Sequence, residues 1–567
     1  MRNGKMALLV VVGLSAAACA SDDERATTTE AATDETTETT TPTTTAPTIA
    51  AAPTTEVEST TTEATPTEPT PTTVVDVVDP DVSVTELDCA DQLPSYVEDR
   101  IPDGAASPRL SCWSMNTLED YGATDADARR IDVTYYIWQS AAAPDDRSAD
   151  PIVYLPGGPR GSAYNSLIPF TNVDVQGTRD LILVDTRGNS PVPGDDTGIP
   201  RSGCPELYDT AIAVFAANES IGAEYTTLLD GWQTCLDRLQ ADGWDLAQYN
   251  TKNAIEDLEQ LRSALGIDQW NVYGESYSTR YMLEYLRQHP DAIRAAVIDS
   301  ATPPDTAIWA PATVGAAVDA VFQTVVDGCA ASAECSESFG DVRANLDAAV
   351  ARLDETPRTV EITHPLTGEP ATVSIDGRDL AFGIGELLDP ATLPAIPGIV
   401  AAIAAGDDAL IDASAASLLG IADGGLGLSA ATVCHDFGID PNRVMASVDS
   451  AVATDGPWEH LGYLSNMPCE IVDVPPADQQ FNEPVVSDVP TLVVVGLLDS
   501  STLPADGLAV ADQLANATRL VFEYEGHVPV RTSECAQQIA RAFWDDFDAV
   551  DASCAAAANA QPIVSGG

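Results

Sequence analysis

One serine, one aspartate and one histidine occur along the chain in an order that suits nucleophilic catalysis. Ser276 lies in the sequence Gly-Glu-Ser-Tyr-Ser after an apolar run, Asp499 follows a second apolar run, and His527 comes 28 residues after Asp499. A serine hydroxyl attacks a carbonyl carbon when a histidine accepts its proton and a carboxylate orients that histidine. We therefore predict that Ser276, Asp499 and His527 form a catalytic triad.

The other acids and histidines fit this triad less well. Asp488 precedes its strand and would lie at the wrong end of it, and Asp506 is expected on the following helix. His527 alone among the five histidines follows the candidate acid. The remaining histidines fall at a helix end or in a long insertion: His289, His364, His435 and His460.

A second requirement of this chemistry is a pair of backbone N–H groups that stabilise the negative charge on the substrate oxygen. Tyr277 directly follows the serine and is expected to supply one donor. The segment Pro156-Gly157-Gly158-Pro159 follows an early apolar run, and its glycines allow the backbone to approach a substrate closely. We predict Gly158 as the second donor.

Apolar segments of strand length alternate with helical patterns in the parts of the chain that carry these residues. This alternation predicts an α/β fold with a mostly parallel sheet covered by helices. Asn253 is a plausible cap for the helix 254–265, and a second helical pattern covers 280–288. The expected strands are 131–138, 152–155, 180–185, 270–273, 295–298, 491–495 and 519–524.

The intervals between these patterns divide the chain into five parts. We expect a signal segment at 1–18, a tether at 19–86, the first part of the catalytic core at 87–302, a mainly helical cap insertion at 303–486, and the second part of the core at 487–567. The insertion is rich in alanine and other helix formers. An insertion between the last strands of such a sheet is expected to cover the active site.

The N-terminal segment has the pattern of an export signal. Arg2 and Lys5 precede a short apolar run, and small residues lead to Cys19. The cysteine after three alanines resembles a bacterial lipidation site, although an ordinary signal cut nearby would discard Cys19. Residues 21–88 are dominated by Thr, Pro, Glu and Ala, which cannot bury enough apolar surface to fold. We interpret them as a solvated tether that holds the enzyme outside the cell.

The number of cysteines indicates the cellular environment of the chain, and its net charge limits the kinds of molecule it can bind. Ten of the eleven cysteines remain when Cys19 is set aside, which in an exported chain favours five disulfides. Their connectivity is open from sequence; pairing nearest neighbours gives Cys89–Cys112, Cys204–Cys235, Cys329–Cys335, Cys434–Cys469 and Cys535–Cys554. No metal site is expected, because no CxxC pair or histidine cluster occurs. A formal net charge of -62 argues against nucleic acid as a partner.

The chain resembles the secreted tripeptidyl aminopeptidases of actinobacteria, within the proline iminopeptidase group of α/β-hydrolases. The similarity extends over about residues 89–560. It implies an α/β-hydrolase fold and a serine peptidase that removes short peptides or single residues from a free N-terminus, with no cofactor. The matching stretches are 154–162, 183–188, 273–280, 284–290, 298–304, 488–492, 499–504 and Gly526-His527.

Two positions depart from the family pattern, and three other functions stay open. Arg160 and Ser278 stand where the family has glycine, and either could alter specificity or abolish activity. The alternatives are an esterase or lipase with the same triad, a serine carboxypeptidase-like enzyme, and a catalytically dead binding scaffold. Glu275 supports the second, because serine carboxypeptidases use the glutamate of this turn to hold a C-terminal carboxylate. We expect a peptide or small-molecule substrate and membrane contact only through a lipid on Cys19; the sequence does not indicate an oligomeric state.

Overall fold

The computed structural model describes residues 79, 81–124, 128–159, 161–195, 199–305, 311–418, 426–438, 458, 468–547 and 550–558. The predicted signal segment, Cys19, almost all of the predicted tether, Arg160 and His460 lie outside the described residues. The predictions made for them therefore remain expectations.

Nine strands form one sheet in the order β1-β2-β3-β5-β4-β6-β7-β10-β11, and β8 and β9 form a separate antiparallel hairpin. The pairs from β5 to β11 are parallel, while β1, β2 and β3 join antiparallel at the other side. The strands are β1 Ser83–Leu87, β2 Leu110–Leu118, β3 Arg130–Trp138, β4 Ile152–Leu155, β5 Leu181–Val184, β6 Trp270–Glu275, β7 Ile293–Asp299, β8 Arg358–Thr363, β9 Pro370–Ile375, β10 Thr491–Gly496 and β11 Ala517–Phe522.

Helices connect the parallel strands and build the insertion. They are α1 Cys89–Gln92, α2 Ser95–Glu98, α3 Ala163–Asn172, α4 Glu206–Ala217, α5 Ile221–Ala241, α6 Thr251–Ala264, α7 Ser278–Gln288, α8 Pro311–Ala331, α9 Ala333–Phe339, α10 Val342–Glu355, α11 Gly377–Glu386, α12 Ile396–Ala404, α13 Ala409–Leu418, α14 Leu426–Phe437, α15 Pro504–Gln513, α16 Pro529–Thr532, α17 Glu534–Asp545 and α18 Ser553–Ala558. A 3₁₀ turn spans Gln479–Asn482.

The central strands are apolar because both faces of the sheet are covered. Strands β4, β5, β6 and β10 are buried along their whole length. Alternate residues of one strand enter different apolar clusters: Val153 and Val272 lie in the first, and Tyr154 and Tyr273 lie in the second. The predicted α/β fold, with a mostly parallel sheet covered by helices, is therefore confirmed.

The folded domain begins earlier than the sequence predicted. Strand β1, at 83–87, pairs with β2, and the buried Asp79 accepts a hydrogen bond from Arg130 Nη2 at 2.7 Å. The predicted end of the tether at residue 86 is therefore wrong. The alternating Val, Ser, Val, Thr of this segment suits a half-exposed edge strand, and the acidic, Thr-rich chain before it concealed that pattern.

Several predicted element ends also differ from the structure, and those of α6 and β11 are two of them. Helix α6 begins at Thr251, and its cap is Asn250, whose side chain accepts a hydrogen bond from Asn253 N at 2.9 Å. Asn253 is thus an internal residue of the first turn rather than the cap. Strand β11 ends at Phe522, two residues before the predicted end, because the chain then turns toward His527.

The insertion has its own apolar core, which is mainly helical as predicted but also contains the β8–β9 hairpin. Val321, Phe322 and Leu346 lie in this core, together with Phe215 of α4 from outside the predicted insertion. Helix α14 lies within the predicted insertion, yet Leu428 and Val433 pack into the core on one face of the main sheet. The insertion and the sheet therefore share residues at their junction.

All ten described cysteines form disulfides, and each joins its nearest neighbour along the chain. The bonds are Cys89–Cys112, Cys204–Cys235, Cys329–Cys335, Cys434–Cys469 and Cys535–Cys554. They close loops with sequence separations from 6 to 35 residues. Disulfides at this density are typical of proteins that function outside the reducing cytoplasm.

Candidate active site

Ser276 occupies the sharp turn between β6 and α7. Strand β6 ends at Glu275, Ser276 has a φ of 54°, and α7 begins at Ser278. A positive φ is costly for a residue with a side chain, and it persists here because Ser276 N donates a hydrogen bond to Asp299 O at 2.9 Å. This is the geometry of a nucleophile elbow, which presents a serine hydroxyl above the sheet.

Two small residues allow this turn to close. A Cβ atom on Gly274 would lie 2.6 Å from Met282 Cγ and 3.0 Å from Ser278 O, so a larger residue would force strand and helix apart. Ser278 is buried; its Oγ accepts a hydrogen bond from Glu275 N at 2.8 Å and lies 2.9 Å from Glu275 O, to which it can donate. Ser278, which stands where the family has glycine, therefore fits the turn and adds hydrogen bonds within it.

Asp499 and His527 form a hydrogen-bonded pair at the ends of neighbouring strands. His527 Nδ1 lies 3.0 Å from Asp499 Oδ1 and 2.9 Å from Oδ2. The Asp499 side chain is only 2% exposed, and it also accepts hydrogen bonds from Ser501 N, Thr502 N and Thr502 Oγ1. These donors fix the carboxylate, which in turn orients the imidazole, leaving Nε2 for a proton transfer.

The segment that carries His527 lies against the nucleophile turn. Val528 N donates to Ser300 Oγ at 2.9 Å, and the preceding residue, Asp299, accepts the hydrogen bond from Ser276 N. Within the described part of the chain, no hydrogen bond joins Ser276 Oγ to His527. This last contact of a triad is often long in the absence of substrate. The three-residue triad accordingly remains a prediction, with its Asp–His half formed.

Burial and charge shift the pKa values of both side chains of the Asp499–His527 pair. Burial by itself would lower the pKa of His527, but the charge and hydrogen bond of Asp499, with Glu275 and Asp299 nearby, raise that pKa above 6.5. Burial would raise the pKa of Asp499, whereas His527 and Thr502 hold it below its ordinary value. Asp499 therefore stays ionised where His527 titrates.

The glycine loop after β4 approaches the nucleophile, as the sequence predicted for an oxyanion site. A Cβ atom on Gly157 would lie 3.0 Å from Ser276 Cβ and 3.5 Å from Ser276 Oγ. Gly158 follows with a φ of 128°, a conformation that suits glycine. Tyr277 has helical backbone angles at the start of α7. Tyr277 N and Gly158 N remain the predicted donors.

Glu275 is part of a buried cluster beneath the turn, a role that sequence reasoning missed. Its Oε1 accepts hydrogen bonds from Arg531 Nη1 at 2.6 Å and from Tyr154 Oη at 2.7 Å. Glu275 is only 3% exposed to solvent. Burial would lower the pKa of Arg531, but the charge of Glu275 raises it. Glu275 is therefore already neutralised by an internal cation, which removes the ground for a carboxypeptidase-like role.

The Tyr277 side chain is fixed from the insertion. Tyr277 Oη donates a hydrogen bond to Asp436 Oδ2 at 2.9 Å, and Asp436, on α14, also accepts hydrogen bonds from Thr251 Oγ1 and interacts with His435 Nδ1. Asp436 is completely buried. The sequence shows only that an aromatic residue follows the serine. Nothing in it indicates that Asp436, 159 residues away, is the hydrogen-bond partner of Tyr277.

Two family models match the chain, and each covers part of it. Residues 150–338 match the model described as alpha/beta hydrolase fold, and residues 457–554 match the model of TAP-like proteins. The first range includes the Ser276 turn, and the second includes Asp499 and His527. Both halves of the predicted site thus lie in regions that resemble known hydrolases.

The curated relatives are distant peptidases. The serine protease Hip1 of Mycobacterium tuberculosis is 25% identical over 317 residues, which are 52% of this chain and 59% of Hip1. The tripeptidyl aminopeptidase of Streptomyces lividans is 24% identical over 398 residues, 66% of this chain and 70% of that protein. The chain thus matches less than two thirds of the length of Hip1.

Among solved structures, the proline iminopeptidase of Mycobacterium smegmatis is similar to this chain. The two are 14% identical in sequence, and the match covers 74% of this chain and 96% of the iminopeptidase chain. The TM-score of this comparison is 0.34.

Proposed function

We propose, from the premise that this chain is an α/β-hydrolase similar to tripeptidyl aminopeptidases, that it is a serine aminopeptidase acting on free N-termini. It would release short peptides or single residues through an acyl-enzyme. The observation that carries the proposal is the buried Asp499–His527 pair beside a nucleophile elbow at Ser276. The names of the distant relatives support peptide bonds as the target.

In the proposed mechanism, His527 Nε2 accepts the proton of Ser276 Oγ as that oxygen bonds to the scissile carbonyl carbon. Asp499 holds the imidazole in the required tautomer and stabilises the imidazolium. Backbone N–H groups of Tyr277 and Gly158 stabilise the oxyanion. His527 then gives the proton to the leaving amine as the C–N bond breaks. Water, deprotonated by His527, attacks the acyl carbonyl; the bond from that carbon to Ser276 Oγ then breaks, and His527 returns the proton to Ser276 Oγ.

The test compares three substrates with the same enzyme: a tripeptidyl aryl amide with a free amine, the same amide N-acetylated, and a short acyl ester. We expect cleavage of the free amide and poor cleavage of the acetylated one. Hydrolysis of the ester alone would indicate an esterase and contradict the peptidase proposal.

The nucleophile is tested with a fluorophosphonate probe on folded protein. Ser276→Ala should abolish labelling and reduce kcat by about 10⁴-fold or more, because the step that needs the hydroxyl is removed. The exposed Asp412→Asn is a control that should label like the wild type. Absence of labelling in the folded wild type would favour the catalytically dead scaffold.

We further propose that the enzyme is exported and held at the cell surface by a lipid on Cys19. The disulfides support export, and the Thr- and Pro-rich composition of residues 21–88 supports a tether. Metabolic labelling with a palmitate analogue should mark the wild type and spare Cys19→Ala. Equal incorporation into both proteins would contradict lipidation at this residue.

A further inference from the structure

Arg280 is a buried arginine on α7, four residues after Ser276, and its hydrogen bonds all lead toward the insertion. It is 1% exposed. Four of its five N–H groups are donated to oxygen atoms on three separate segments, while Nε has no hydrogen-bond partner in the described structure. The acceptors are Pro303 O at 3.2 Å, Pro304 O at 3.0 Å, Asp436 O at 3.1 Å and Asn482 Oδ1 at 2.7 Å.

Two aromatic rings complete the surroundings of this guanidinium group. Its central carbon lies 4.1 Å from the ring centre of Phe437 and 4.8 Å from that of Phe481. Among the described residues, no carboxylate forms an ion pair with Arg280. Burial lowers the pKa of this side chain, the nearby charges of Asp436 and Glu284 act in the opposite direction, and carbonyl oxygens and ring faces contact the guanidinium group directly.

The contacted segments include both connections of the insertion. Pro303 and Pro304 lie where the chain leaves the core after β7, and Phe481 and Asn482 lie in the 3₁₀ turn on the return to β10. Asp436 and its neighbour Phe437 lie at the end of α14. One side chain on the nucleophile helix therefore joins the entry and the exit of the insertion.

The insertion also contacts residues next to each predicted triad member. These contacts include Leu388 O to Ser500 Oγ at 3.5 Å, Pro390 Cδ to a Cβ position on Gly526 at 2.8 Å, and Asp436 Oδ2 to Tyr277 Oη at 2.9 Å. A shift of the insertion relative to α7 would therefore change the space around the scissile bond.

We propose that Arg280 is a positioning residue that holds both connections of the insertion on the nucleophile helix and thereby sets which N-termini can reach Ser276. The proposal rests on the aminopeptidase function and adds the determinant of its selectivity. In this account, Arg280 does not touch substrate. It keeps the insertion in the one position that admits a short free N-terminus and excludes a longer or blocked one.

Lysine cannot replace this arginine, although it keeps the charge. A lysine ammonium has three donors on one atom and no planar face, so it cannot bond to three segments and stack between two rings at once. Arg280→Lys should therefore loosen the insertion with little change in charge. Arg294→Lys is the matched control, because Arg294 also stacks on a ring, Phe547, and hydrogen bonds to Asn271 and Trp544 O, without contacting the insertion.

The experiment measures selectivity and local protection in the same proteins. For Arg280→Lys, we expect the preference for the free over the N-acetylated tripeptidyl amide to fall by about tenfold, while hydrolysis of a small ester changes less than about threefold. Backbone hydrogen exchange at Thr302, whose N–H donates to Thr279 Oγ1 on α7 directly before the two prolines, and in 479–487 should accelerate by about tenfold as these connections are released. Arg294→Lys should leave the preference and both exchange rates as in the wild type.

Two results would overturn the inference: unchanged selectivity and exchange in Arg280→Lys, or equal changes in Arg294→Lys. If Arg280→Lys does not fold, Asn482→Ala removes one acceptor from the partly exposed return segment, and the same two readouts apply with smaller changes. A wild type that cleaves none of the substrates and resists fluorophosphonate would refute the aminopeptidase proposal. The exchange rates would then still decide whether Arg280 holds the insertion.

Discussion

At the scale of single residues, the protonation state of His527 should control the rate. A protonated imidazole cannot accept the Ser276 proton, so activity is lost as pH falls through the His527 pKa, which Asp499 holds above 6.5. We expect the acid limb of the kcat/KM profile to have its midpoint above pH 6.5. A midpoint at or below this value in the wild type would contradict the inferred shift.

The Asp499–His527 pair also leads to a prediction for the loss of the negative charge on Asp499. Asp499→Asn should lower kcat by about 10⁴-fold, because the amide holds the imidazole in the wrong tautomer. The acid limb of the residual activity should move to lower pH, since the carboxylate that raises the His527 pKa is gone. A full pH profile of the purified variant, with fold checked by circular dichroism, measures both effects. Wild-type activity in this variant would exclude Asp499 from the triad.

Glu275 should matter for stability rather than for substrate binding. Glu275→Gln leaves the guanidinium of Arg531 without its counter-charge, which should lower the free energy of unfolding by about 2–4 kcal/mol. The exposed pair of Arg358 and Asp412 provides the control, and Asp412→Asn should cost less than about 1 kcal/mol. Urea unfolding measures both. A stable Glu275→Gln protein that has lost only recognition of a substrate carboxylate would revive the carboxypeptidase alternative.

The sequence predicted the residues with chemical signatures but not their supporting partners. Asp499 and His527 were identified because acid and histidine follow strands in a defined order. The Glu275–Arg531 pair, 256 residues apart, has no such spacing rule. It depends on where the fold places α16, the helix of Arg531, relative to the end of β6.

At the scale of structural elements, the strand-turn-helix unit around Ser276 depends on small side chains. Ser278→Gly restores the family residue and removes the hydrogen bonds to Glu275, so we expect a stability loss of about 1–2 kcal/mol. Fluorophosphonate labelling should persist, because the turn still closes. Gly274→Ala should instead lose labelling through the clash with Met282 and the backbone. Loss of labelling in Ser278→Gly would show that the serine is required for the reactive geometry.

Elements with strongly buried patterns were predictable within a residue or two, whereas half-exposed ones were either shifted, as β11 was, or missed. The fully apolar runs of β4 and β10 were recognised within one residue of their ends. Strands β8 and β9 alternate buried and exposed residues within an alanine-rich region, and the helical composition of that region concealed them. The cap of α6 was misplaced because Asn250 and Asn253 both suit an N-cap, and packing selects between them.

At the scale of the whole molecule, a disulfide that closes a longer loop should stabilise the fold more, with a logarithmic dependence on loop length. Removing Cys204–Cys235, with a separation of 31 residues, should cost about 1–2 kcal/mol more than removing Cys329–Cys335, with a separation of 6. Paired Cys→Ala variants and urea unfolding measure the difference. An equal or reversed order would indicate that packing around the sulfur atoms outweighs the entropy of the unfolded chain.

Three non-glycine residues with positive φ meet around the predicted site: Ser276, Ser300 and Val528, at 54°, 57° and 54°. Val528 is the most costly, because a β-branched side chain fits this region poorly. The fold therefore keeps a strained backbone directly beside the imidazole of His527. Val528→Gly would relieve this strain, but it would also remove a buried side chain and hold the neighbouring imidazole less firmly, so stability and activity would not improve together.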